Sequence, residues 1–108
     1  MGKPSAGASD LASLVSTGSF TGTGTSAPVL VKGSFNFVVW GTFSGSVALE
    51  RSPDGGTTWI NCSTDAGGTP NAVAVPTSVR CFEPESGILY RVNCGTFASG
   101  TINWRISQ

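Results

Sequence analysis

The chain has 108 residues, of which 39% are hydrophobic and 11% charged, and six Lys and Arg residues balance six Asp and Glu residues. This length fits one hydrophobic core, and the apolar share is too high for a disordered chain. The cations are scattered singly, which argues against nucleic-acid binding. There is no run of about eighteen apolar residues to cross a membrane and no signal peptide, so we expect a protein made in a cytoplasm.

Residues 1–27 are predicted to form an N-terminal arm that is flexible until bound, with a disordered tail as the alternative. The segment is rich in Ser, Gly, Thr and Ala, which cannot make a core of their own. Residues 9–15 could form one or two helical turns or add as a strand to a neighbouring protein. The predicted partner contacts of the arm are its sizeable apolar residues, Leu11, Leu14, Val15 and Phe20.

From residue 28 onward apolar and polar residues alternate with the period of β-strands. Turn signals recur about every 8–12 residues, and both faces of 35–40 are apolar enough to need a covering layer. Residues 28–108 are therefore predicted to form an antiparallel two-sheet β-sandwich, jelly-roll or immunoglobulin-like. About eight short strands are predicted, at residues 29–31, 35–40, 47–50, 57–62, 72–75, 78–82, 88–94 and 102–106.

A hairpin motif follows the third predicted strand. Residues 52–59 read SPDGGTTW, which matches the Asp-box pattern Ser-x-Asp-x-Gly-x-Thr-Trp of sialidase propellers and other β-proteins. Asp54 is expected to accept backbone N–H bonds, the glycines to supply positive φ, and Trp59 to pack the base of the hairpin. Ser52, Asp54, Gly56 and Trp59 are thus predicted to be structural residues, and Asp54 with Asp65 offers too few carboxylates for Ca²⁺.

A second structural motif surrounds Tyr90. This tyrosine enters a strand after the acidic, Gly-containing segment 83–87, which is predicted to be an exposed corner. The arrangement resembles the tyrosine corner of immunoglobulin-like sandwiches, in which the hydroxyl bonds to backbone upstream. Glu83 and Glu85 would then be solvated acids with no cause for separate pKa values.

The sequence predicts a protein without catalytic activity, cofactor or metal. It has no histidine, which excludes Ser–His, Cys–His and His–metal sites. Three cysteines lack the spacing of a zinc site or a disulfide framework, so they are interpreted as core thiols, with one bridge between two of them left open. These cysteines are Cys62, Cys81 and Cys94.

Two stretches carry a resemblance to a known family. They are residues 41–59, GTFSGSVALERSPDGGTTW, and residues 90–94, YRVNC, followed by 99–108, SGTINWRISQ. Together they resemble the small β-sandwich structural proteins of tailed bacteriophage virions. Within that class, small decoration (cement) proteins bind the outer capsid lattice and often carry an N-terminal arm.

The resemblance implies a virion protein that binds the major capsid protein, stabilises the lattice and forms a homo-oligomer, such as a trimer. The low charge of the chain suits a permanent lattice contact. No nucleic-acid or membrane partner is expected. Two alternatives stay open: a tail-tube or head-tail adaptor component, and a carbohydrate-binding module of a spike or tail that would use Trp40, Trp59, Tyr90 or Trp104.

Overall fold

The computed structural model describes residues 14–63 and 72–108. Within these ranges the regular structure is entirely β, which confirms the predicted all-β class, and no helix long and apolar enough to span a membrane is found there. The strands are β1 (Val15–Phe20), β2 (Gly24–Thr25), β3 (Val29–Trp40), β4 (Phe43–Ser52), β5 (Ile60–Asn61), β6 (Ala72–Val73), β7 (Thr77–Gly100) and β8 (Ile102–Ser107).

Every strand pairing among residues 14–63 and 72–108 is antiparallel, and these strands form one hydrogen-bonded sheet in the order β1-β8-β3-β7-β4-β5. Two short strands lie beside this path, β2 on β7 and β6 on β4. The long strand β7 pairs with β3 over residues 77–90 and with β4 over residues 89–100. It thereby joins the two predicted layers into one continuous sheet.

The sheet buries a single core between its own halves. Alternate residues of β3, β7 and β8 point inward, as the period of two requires, whereas residues 47–50 of β4 are buried on both faces. Phe37, Leu49, Ile88, Ile102 and Ile106 are each less than 2% exposed and belong to one apolar cluster. Since no helix of the described residues covers the sheet, its two halves must cover each other, which makes the arrangement sandwich-like.

The structure corrects the predicted boundary between arm and body, because β1 and β2 belong to the sheet. β1 pairs with β8 from Val15 opposite Ser107 to Phe20 opposite Ile102. The indole of Trp104 lies across Gly18, where an added Cβ would come within 2.9 Å of the ring. A small residue is therefore required there, and the Gly and Ser content that suggested an arm is compatible with a strand.

The predicted corner at 83–87 is also corrected, because these residues continue β7 instead of ending a strand. The register against β3 shifts between Val31, opposite Ile88, and Gly33, opposite Glu83. Residues 84–87 form the extra length of this irregularity, and Gly87 adopts a φ of +80°. Such a bulge re-aims side chains without ending the strand, and here it directs Glu83 inward.

Candidate functional site

The four predicted contact residues of the arm differ in their surroundings. Leu11 lies outside the described residues, whereas Leu14 packs against the core and its carbonyl accepts a hydrogen bond from the backbone N–H of Gln108 at 2.9 Å. Val15 is 50% exposed at the start of β1. Phe20 is buried, with its ring centroid 6.5 Å from that of Trp104. The structure therefore corrects the assignment of Phe20, which packs in its own core and is not free to contact a partner.

The Asp-box residues form the local network that the motif predicts. Asp54 Oδ1 accepts hydrogen bonds from the Thr58 backbone N–H at 2.8 Å and from the Ser52 hydroxyl at 2.9 Å. The first of these bonds is the main cause of a lowered pKa at Asp54. Ser52 Oγ also accepts a bond from the Gly56 N–H at 2.8 Å, and Gly55 and Gly56 have φ of +75° and +97°.

The hairpin also positions Trp59 beside the ion pair of Arg91 and Glu50. The Trp59 indole N–H donates to the Gly56 carbonyl at 3.0 Å, and the Arg91 guanidinium lies 4.3 Å from the centre of the ring. Arg91 in turn donates to Glu50 at 2.7 Å, and the Asn93 amide donates to the other oxygen of Glu50 at 3.0 Å. This cation–π contact and ion pair fix the hairpin to β4 and β7.

A carboxylate with four donors lies at the bulge of β7. We call Glu83, Arg51 and Tyr90 the Glu83 cluster. Arg51 donates to both oxygens of Glu83, at 2.6 and 2.8 Å, and the Tyr90 hydroxyl donates to Oε1 at 2.7 Å. The Glu85 backbone N–H supplies the fourth bond, to Oε2 at 2.9 Å. Glu83 is 1% exposed, so the Arg51 guanidinium compensates a buried charge.

The Glu83 cluster corrects two predictions. Glu83 is buried and not solvated, and the hydrogen bonds from Arg51 lower its pKa from 4.5 to about 2. Its neighbour Glu85 stays exposed, with a weaker contact of 3.6 Å to Arg51. Tyr90 bonds to the side chain of Glu83 and not to backbone, and burial followed by this bond raises the pKa of its hydroxyl. The resemblance to a tyrosine corner therefore fails at the acceptor.

One margin of the sheet has a gap among the described residues. The edge of β7 at 77–83 that faces away from β3 pairs with no strand of these residues. Opposite this edge lie β5 and β6, which pair only with β4. We call the gap between the 77–83 edge and β5–β6 the open side. An unpaired strand edge presents free N–H and C=O groups to another chain.

The open side contains an apolar cavity of about 600 Å³. Its floor includes core residues Phe35, Leu49 and Tyr90, and its walls come from the unpaired edge of β7 and from residues 62–63 and 72–75. Two large apolar side chains at its rim are unusually exposed, Val75 at 63% and Phe82 at 66%. A smaller cavity shares Cys62 and Ser63 and includes Ile60, which is 60% exposed.

The four aromatic candidates for glycan binding are not brought together on one wet face. Trp104 and Tyr90 are buried, and Trp59 is half-buried under Arg91. Trp40 is 43% exposed at the end of β3. Stacking on sugar rings needs flat, solvent-exposed aromatic faces, and of these four residues only Trp40 offers one.

The sequence interpretation missed Arg51, the burial of Glu83 and the open side. Pro84 and Gly87 suggested a turn, so the sequence did not indicate that β7 continues through Glu83. Strand alternation gave no signal for Glu83, since counting by two from Val92 through Tyr90 and Ile88 leads to Ser86 and Pro84, and only the bulge places Glu83 on the inner face. The open side has no local signal, because it depends on which strands pair.

Comparisons with known protein families, with curated proteins and with solved structures give no match to this chain.

Proposed function

We propose that this chain is a virion structural protein of the capsid-decoration type, which binds the outer capsid lattice and carries no catalytic activity. Its partner in this proposal is the major capsid protein, and its own copies associate as a homo-oligomer such as a trimer. The resemblance of residues 41–59, 90–94 and 99–108 to small virion β-sandwich proteins motivates the proposal.

The observation that supports it in the structure is the open side. There the free strand edge at 77–83 coincides with exposed apolar side chains, Phe82, Val75 and Ile60. A strand edge beside apolar pockets is the combination that another protein binds by strand addition, since backbone hydrogen bonds supply affinity and pockets supply specificity. The low charge of the chain also favours a lasting contact over a reversible encounter.

The same observations favour protein binding over glycan binding. Of the aromatic residues proposed for sugar stacking, Trp104 and Tyr90 are core residues and Trp59 stacks on Arg91. Of the exposed apolar residues of the open side, Val75 and Ile60 are aliphatic and only Phe82 offers an aromatic ring on which a sugar could stack.

The test is the location of the protein on particles of the virus that carries its gene. We expect a fixed copy number relative to the major capsid protein by mass spectrometry, and electron-microscopy density on the outer capsid face. Absence from purified particles would refute a virion role. Density in the tail tube or neck would refute the decoration role and support the adaptor alternative.

A matched pair of variants tests whether the open side makes the contact. Phe82 and Leu30 are similarly exposed, at 66% and 63%, but only Phe82 lines the cavity. Phe82→Ser should reduce capsid occupancy at least tenfold, whereas Leu30→Ser should leave it unchanged. Equal occupancy for both variants and the unmodified protein would show that the open side is not the capsid contact.

The arm is tested by removing residues 1–13 alone. Deletion to residue 20 would also remove β1 and the buried Phe20, and would therefore test folding instead of binding. Loss of capsid binding by the shorter deletion, with an unchanged Tm, is the result expected if Leu11 and its neighbours contact adjacent subunits. Full capsid occupancy by this variant would exclude the arm as a contact.

A further inference from the structure

Two of the three cysteines line the open side from opposite walls. Cys62 follows β5, and its backbone N–H donates to the Leu49 carbonyl at 3.0 Å, which fixes it to the β4 wall. Cys81 lies on the unpaired stretch of β7, opposite Phe35 of β3. Both side chains line the same cavity and pack against the apolar core. The chain thus presents one thiol on each side of the gap.

A pair of core rings lies beneath the cavity that the two cysteines line. The rings of Phe35 and Tyr90, which also line the cavity, have centroids 4.8 Å apart. Phe35 is the cross-strand neighbour of Cys81, and Tyr90 is the cross-strand neighbour of Arg51 on β4, near the start of the hairpin that leads to Cys62. The ring pair therefore joins β3, which is paired to the Cys81 stretch of β7, to the stretch of β7 that is paired to β4.

The ionisation of the two thiols is linked across the cavity. Burial, followed by the nearby Cys81 thiolate, raises the pKa of Cys62 to about 11. Glu83 and Glu50 add to the increase, whereas the Arg51 guanidinium opposes it. Burial also raises the pKa of Cys81. Both groups are therefore protonated thiols at neutral pH, which are slow to react but can be oxidised.

Cys94 differs from this pair and supplies an internal control. It is 1% exposed, its Sγ contacts the Thr96 carbonyl at 3.5 Å, and its cross-strand partner is Val47. It does not line the cavity. All three cysteines are free thiols in the structure, so a bridge at the open side would be a modification of the protein.

We propose that Cys62 and Cys81 are an oxidisable thiol pair whose disulfide fastens the open side of the sheet. With oxidised glutathione as the oxidant, the thiolate of one cysteine attacks the glutathione disulfide and releases one reduced glutathione. The thiolate of the second cysteine then attacks the mixed disulfide and releases the other. The two protein thiols lose two electrons and two protons, and one oxidised glutathione becomes two reduced molecules.

The bridge stabilises the fold by closing the loop from residue 62 to residue 81. Fixing the two ends of this loop lowers the entropy of the unfolded chain, which raises the Tm of the oxidised protein. Because both thiols have raised pKa values, oxidation accelerates as the pH rises from 7 toward the pKa of Cys62 near 11. Such a bond suits a particle that matures in a reducing host and persists in an oxidising exterior.

The experiment is incubation of the full chain with oxidised glutathione at pH 8.5, followed by intact mass and peptide mapping without reduction. We expect a monomer that has lost two hydrogen atoms, a peptide linking Cys62 to Cys81, and a Tm that falls when a reductant is added. Cys94→Ser should behave identically. Cys62→Ser and Cys81→Ser should each lose the monomeric product and the reductant-sensitive Tm.

Three outcomes would overturn the proposal, and each can be observed with the protein that carries no substitution. They are glutathione adducts that persist without a protein disulfide, a disulfide that includes Cys94, and a disulfide-linked dimer on a non-reducing gel. None of these outcomes bears on capsid binding, so failure to form the disulfide would leave the proposed function unaffected.

Discussion

The Glu83 cluster and the open side adjoin the same residue, Tyr90, and yet they are opposite kinds of structure. In the Glu83 cluster four donors converge on one buried carboxylate. No buried side-chain nitrogen or oxygen of the described residues lacks a hydrogen-bond partner. At the open side, a strand edge has no pairing among these residues, and Val75 and Phe82 face solvent.

This difference separates residues that stabilise the fold from residues that are available for contact. A buried charge whose partners are fixed is costly to alter, since any change leaves a donor or a charge uncompensated. An exposed apolar residue at an unpaired edge contributes little to the folded state, and its removal costs little. Substitutions in the two regions should therefore have contrasting effects on stability and on binding.

The largest loss of stability is expected for Glu83→Gln. Glutamine offers one carbonyl oxygen where Glu83 offers two carboxylate oxygens, so two of the four donors would face an NH₂ group in either orientation. The Arg51 guanidinium would also lose its counter-charge. We expect the free energy of unfolding to fall by about 4 kcal/mol, measured by urea denaturation at pH 7.

Glu85→Gln is the matched control for this substitution. Glu85 is two residues away and 64% exposed, with a 3.6 Å contact to the same arginine. Because solvent screens such a pair, the expected change is within about 0.5 kcal/mol. Equal effects of the two substitutions would mean that the burial of Glu83 has no energetic importance.

Acid should produce the next largest effect. The pKa of Glu83 is about 2 in the folded protein, below its ordinary value of 4.5. A lowered folded-state pKa stabilises the protein fully above the ordinary pKa, and this stabilisation is lost as the pH falls from about 5 toward 2. The pKa difference corresponds to about 3 kcal/mol.

The pH effect is measured as the difference in unfolding free energy between the unmodified protein and Glu83→Gln at several pH values. Other carboxylates titrate in both proteins, so their contribution cancels in this difference. The gap between the two proteins should be constant above pH 5.5 and should narrow progressively below pH 4.5. A gap that stays constant down to pH 2.5 would contradict the assigned pKa.

A smaller loss is expected for Ser52→Ala in the Asp-box hairpin. Ser52 is fully buried, and its hydroxyl bonds to Asp54 and accepts the Gly56 N–H. Removing it leaves that N–H without an acceptor and should cost about 1.5 kcal/mol in urea denaturation. Ser44→Ala, at an exposed position of β4, is the control and should change the unfolding free energy by less than about 0.5 kcal/mol.

The Asp-box hairpin and the Glu83 cluster show what the sequence could and could not predict. The hairpin is local, because its bonds join residues within 52–59, and the motif predicted its acceptor, its glycines and its tryptophan. The all-β class followed from the period of two over residues 28–108. Glu83 could not be placed in this way, because its burial depends on a bulge and on Arg51, which is 32 positions away.

β1 was missed for a related reason. Its sequence, VSTGSF, has few apolar residues, and at position 18 the Trp104 ring occupies the space that a side chain would need. The amino-acid composition of β1 therefore resembles that of a flexible arm. Only knowledge that β8 lies beside it would have shown that Gly18 fits under the indole and that Thr17 donates to the Trp104 carbonyl at 2.7 Å.

The smallest effect on stability is expected for Phe82→Ser. This substitution therefore tests most directly whether the open side is a contact surface and not part of the core. Phe82 is 66% exposed, so its ring already contacts solvent and its loss should change the unfolding free energy by no more than about 0.5 kcal/mol. Urea denaturation of Phe82→Ser beside Leu30→Ser measures this directly. If capsid occupancy falls while stability is retained, the open side is a contact surface. A loss above 2 kcal/mol would instead make Phe82 part of the core, and the distinction between the two regions would fail.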